Sequence, residues 1–127
     1  MSGDLTRNFS LSEFRCRGGA IPKELHSNIA RLAVELQKIR ERVKLPMEII
    51  GGCGENPECS DKHFHLYGLA ADIRVIGYSA EDMFILISSM IAKGGSEIAT
   101  VKPYPITNLR RVPFVHVNLK EELNGQG

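Results

Sequence analysis

Apolar residues recur at Leu25, Ile29, Leu32, Ala33, Leu36, Ile39 and Val43, at spacings of three and four. That period is one face of an α-helix, so the chain predicts an amphipathic helix running to about Val43. Pro22 suits its first turn and Pro46 ends it. Residues 47–50 read as a short strand. Residues 51–64, rich in Gly, Pro, Asn and Asp, read as a loop. A second strand is expected over 70–75. A second helix enters at Ser79, with Glu81 and Asp82 in its first turn and a stripe of Met83, Phe84, Ile87, Met90 and Ile91, and Gly94 and Gly95 end it. Strands over 97–101 and 112–119 follow, joined by a loop containing Pro and Arg. This order predicts an α+β fold: a small antiparallel sheet with helices on one face and a cleft on the other. Residues 8–120 form a single domain in this reading, and 1–7 and 121–127 are loose tails.

Strand alternation assigns the faces. Ala70, Asp72 and Arg74 share one side of their strand, and Ala71, Ile73 and Val75 share the other, which is the core side. In the last strand Val115, Val117 and Leu119 form the apolar side, and Phe114, His116 and Asn118 the opposite one. If these two strands pair, Asp72 and His116 project from the same side of one sheet, towards the cleft. Asp is depleted in strands, so Asp72 needs a partner.

A third residue bears on this pair. Residues 65–72 read His-Leu-Tyr-Gly-Leu-Ala-Ala-Asp. A histidine and an aspartate at this spacing cannot be neighbours on one helix, but they can meet around a turn. Gly68 supplies it, and Ala70 and Ala71 leave room beside it. His65, Asp72 and His116 are therefore the expected ligands of one Zn2+. A His/Asp/His set with an open fourth position is the arrangement of a hydrolytic metal site.

The pattern His65, Gly68, Ala70, Asp72, followed by a strand histidine at His116, resembles the zinc D-Ala-D-Ala carboxypeptidase family. That family includes phage endolysin peptidases, and hedgehog signalling domains share its fold. The segment Asn8-Phe9-Ser10-Leu11-Ser12-Glu13-Phe14 is similar to the opening of its compact members, and the likeness spans roughly residues 8–120. It implies a hedgehog-like fold with a zinc cleft and a peptidase acting on peptidoglycan stem peptides or cross-bridges that contain D-Ala. This chain also departs from the family pattern. Gly51-Gly52-Cys53-Gly54 replaces Ser-Gly-Tyr-Arg, His63 stands for a serine, and Asn118 follows Val117 where the family has Asp. Pro113 occupies the place where several relatives carry an acidic general base.

Those departures leave the catalytic base unassigned. Glu55, Glu58, Asp61, His63 and Glu97 are candidates, and His63 is also a candidate substrate-binding residue at the cleft. The alternative reading is a zinc-stabilised binding or structural module of a phage particle or a cell-envelope complex, without catalysis. A looser arrangement would use Cys53, Cys59 and His63 as a second metal site.

Composition narrows the partners. The chain has 127 residues, 43% hydrophobic and 24% charged, enough for one core in one domain. A net charge of +1, from 16 basic and 15 acidic residues, argues against a general grip on nucleic acid. No apolar run approaches the ~20 residues of a membrane span. The first residues carry no apolar signal segment, so cell-envelope or phage association is expected only through the resemblance. With three cysteines at least one thiol is unpaired in the monomer. Cys53 and Cys59 either close a disulfide or remain two thiols of the loop.

Overall fold

The structure is a computed structural model and describes residues 4–14, 23–51, 68–107 and 112–120. Helix α1 spans His26–Val43 and α2 spans Ala80–Ala92. The strands are β1 (Met47–Gly51), β2 (Ala70–Val75), β3 (Ile98–Tyr104) and β4 (Phe114–Leu119). They form one antiparallel sheet in the order β1-β2-β4-β3. The α+β class expected from the sequence is present.

A 3-10 turn, Lys23–Leu25, leads into α1, and the Leu25 cap makes no side-chain hydrogen bond. The buried stripe of α1 is Ile29, Leu32, Ala33, Leu36, Ile39 and Val43. Lys44 ends the helix with φ at 59°, and its N–H donates to the Arg40 carbonyl at 2.9 Å. Pro46 follows, and a proline disfavours the helical conformation in the residue before it, here Leu45. Ser79 caps α2, its hydroxyl accepting from the Asp82 N–H at 3.0 Å. The helix buries Ala80, Met83 and Ile87, with Leu86, Met90 and Ile91 partly buried against the core. Phe84, expected in this stripe, is only half-buried and lies outside the core cluster.

The core lies between the helices and one face of the sheet. Ala71, Ile73 and Val75 of β2 and Val115, Val117 and Leu119 of β4 enter it together with the α1 and α2 stripes. Each large apolar side chain buried there contributes about 1.5–3 kcal/mol. Phe9 and Phe14 are also buried. Their segment is clasped to α1 by a reciprocal pair. The Asn8 N–H donates to Gln37 Oε1 at 2.9 Å, and Gln37 Nε2 donates to Asn8 Oδ1 at 2.7 Å.

β3 extends past Val101 to Tyr104, through Pro103. A proline is tolerated there because β3 is an edge strand, which has ladder bonds on one side only. β4 starts at Phe114, later than the pattern suggested, after the exposed Val112. Among the described residues, no helix is long and apolar enough to cross a membrane.

Candidate metal centre

β2 and β4 are paired with Asp72 directly opposite His116 and Ala70 opposite Asn118. These four residues share the sheet face turned away from the helices, as the alternation of both strands requires. Asp72 and His116 are fully buried, and Asn118 is 2% exposed. An open cleft was expected at this point. The pair is instead closed from solvent.

His116 Nδ1 stands 3.1 Å from Asp72 Oδ1. On the other edge of the ring, Nε2 stands 3.3 Å from Asn118 Oδ1. The Asn118 amide is oriented by its own Nδ2, which donates to the Leu119 carbonyl at 3.4 Å. Its oxygen therefore faces the imidazole, and an amide oxygen can only accept. A neutral imidazole has one N–H: carried on Nδ1 it donates to Asp72, and carried on Nε2 it donates to Asn118. The second tautomer turns the Nδ1 lone pair towards the carboxylate oxygen, an arrangement that a metal ion between the two would suit.

The donor set fits zinc on three counts. Imidazole nitrogen and carboxylate oxygen are both ordinary zinc donors. Two donors of one tetrahedral ion stand about 3.3 Å apart when each bond is about 2.0–2.1 Å, close to the observed separation. A ligating imidazole usually donates its other N–H to an acceptor behind it, and Asn118 is placed to receive it.

The row containing this pair runs across the whole sheet. Gly51 of β1 is the register partner of Asp72, and Lys102 of β3 is the register partner of His116. A bulge between Ile49 and Gly51 sets the first of these pairs. On one side of the row stand Ala70, Asn118 and Thr100. On the other, Arg74 pairs with Glu48 and Tyr104 stacks on Phe114, with ring centroids 4.8 Å apart and planes 11° from parallel.

Gly68, the predicted turn residue, has φ at +72°. A Cβ there would lie 3.0 Å from Ile29 Cγ1 and 3.2 Å from the Leu25 carbonyl oxygen. Glycine is thus required both for the backbone angle and for close packing on α1. The next carbonyl, of Leu69, accepts from the Leu119 N–H at 2.8 Å, which fixes the start of β2 beside the end of β4.

The third expected ligand, His65, lies outside the described residues, as do His63, Glu55, Glu58, Asp61, Cys53 and Cys59. Among the described residues, no group of three or more His, Cys, Asp or Glu side chains is assembled that could hold a metal. Glu97, the one candidate base within them, is turned elsewhere. Its carboxylate lies 3.8 Å from the Arg31 guanidinium on α1, on the helix side of the molecule.

One residue of this face lies outside the strand expected from the sequence: that strand ends at Val101, whereas β3 runs on to Tyr104, so Lys102 faces with Thr100, Tyr104 and His116. Asn118 is on the His116 face as alternation predicts, and its reach to the ring is what the sequence does not reveal. Comparison of the chain with family models, with curated proteins and with solved structures gives no match.

Proposed function

We propose that the chain is a zinc-dependent peptidase that hydrolyses D-Ala-containing peptides of peptidoglycan, with Asp72, His116 and His65 as the metal ligands. The observation that carries this reading is the buried Asp72–His116 pair, 3.1 Å apart on facing strands, with Asn118 behind the ring. The similarity of His65, Gly68, Ala70, Asp72 and His116 to the zinc D-Ala-D-Ala carboxypeptidase motif supplies the substrate class.

Zinc in such a site supplies a Lewis acid that polarises a peptide carbonyl and makes water nucleophilic at neutral pH. The protein's share is positional. β2 and β4 hold the carboxylate and the imidazole side by side with no freedom to splay, since both strands are pinned by core residues on their other face. Asn118 Oδ1 stands ready to accept the Nε2 proton, which would leave the Nδ1 lone pair to ligate the metal beside Asp72. Burial of the pair strengthens every charge interaction made there. The base that takes a proton from water is sought among Glu55, Glu58, Asp61 and His63.

A second reading is favoured by one observation. Asp72 and His116 are both 0% exposed, which leaves no route for a substrate peptide to the pair among the described residues, whereas a structural zinc needs none. In that reading the chain is a zinc-stabilised binding or structural module of a phage particle or envelope complex. One experiment separates the two. Purified, zinc-loaded protein is incubated with peptidoglycan, and released D-alanine and peptide fragments are measured. Release that a chelator abolishes supports the peptidase. One bound zinc per chain with no release replaces it with the module.

A further inference from the structure

We draw no further inference here: the strongest candidate, the groove at the start of β1 lined by Glu13, Pro46, Met47, Glu48, Arg74 and Ile76, has its charged groups already engaged, Arg74 with Glu48 and Glu13 with the Ser10 N–H, and nothing in the structure shows what covers its apolar side chains.

Discussion

Asn118 Oδ1 lies 3.3 Å from His116 Nε2, on the ring edge opposite the Asp72 carboxylate. The imidazole is thus held between an amide oxygen and an acid oxygen. Asn118→Ala removes the acceptor behind the ring, and zinc affinity should drop about 10–100-fold, the usual cost of losing such a contact. Asn118→Asp supplies a charged acceptor and should raise affinity above the parent. Competition titration with a chromophoric chelator measures both. Unchanged affinity in Asn118→Ala would mean that the amide does not orient a ligand.

His116→Ala and Asp72→Ala should each lose most of the bound zinc, measured by elemental analysis after gel filtration. Thermal melting with and without zinc gives an independent readout. Zinc should raise the parent's melting temperature, because a ligand bound only by the folded state stabilises it, and should leave both variants unmoved. Near-full occupancy in His116→Ala would remove that residue from the site.

Gly68→Ala should destabilise the fold by about 1–3 kcal/mol, from the cost of a left-handed backbone angle in a non-glycine residue together with the crowding of Ile29. Gly95→Ala is the control. Gly95 has φ at +83°, but a Cβ there would meet nothing within 4 Å. The difference between the two variants in urea denaturation isolates the packing of the turn on α1. Equal losses would show that backbone strain alone sets the requirement for glycine.

If peptide release is detected, Glu97→Ala should leave its rate within about twofold, because its carboxylate is turned towards Arg31. Among Glu55→Ala, Glu58→Ala, Asp61→Ala and His63→Ala, one should lose about 10²–10⁴ in rate while keeping zinc, as expected for removal of a general base. A large rate loss in Glu97→Ala with zinc retained would contradict the orientation of that side chain.

The sequence was most legible where one face of an element is apolar. In β2 and β4 the core side is an unbroken alternation, and it places Asp72 and His116 on the opposite face. The α1 stripe was legible for the same reason. Strand order was not, because four short strands can be arranged in many ways and only the pairing of β2 with β4 was anticipated as a condition. The end of β3 was lost to Pro103, which reads as a strand breaker unless the strand is known to be at an edge. Glu35 shows a different limit. It lies within the helical pattern as an ordinary polar residue, yet it is 4% exposed. Its oxygens meet Lys38 Nζ at 3.0 Å and Ser96 Oγ at 3.3 Å. Lys38 also donates to the Gly95 carbonyl at 3.1 Å. Such a network depends on a contact between α1 and a turn far along the chain, which no local period reveals. The closure of the Asp72–His116 pair is likewise a tertiary property, invisible to parity.

The bulge in β1 leads to a statement about how this strand can change in length. With plain pairing after Ile49 and Ile73, Ile50 would be the residue opposite Asp72. The extra residue advances the chain by one, so Gly51 takes that place. Deleting Ile50 would straighten the strand and still leave a glycine opposite Asp72. A one-residue deletion, ordinarily ruinous within a strand because it turns every later side chain over, is at this one position a change the row of Asp72 and His116 can absorb.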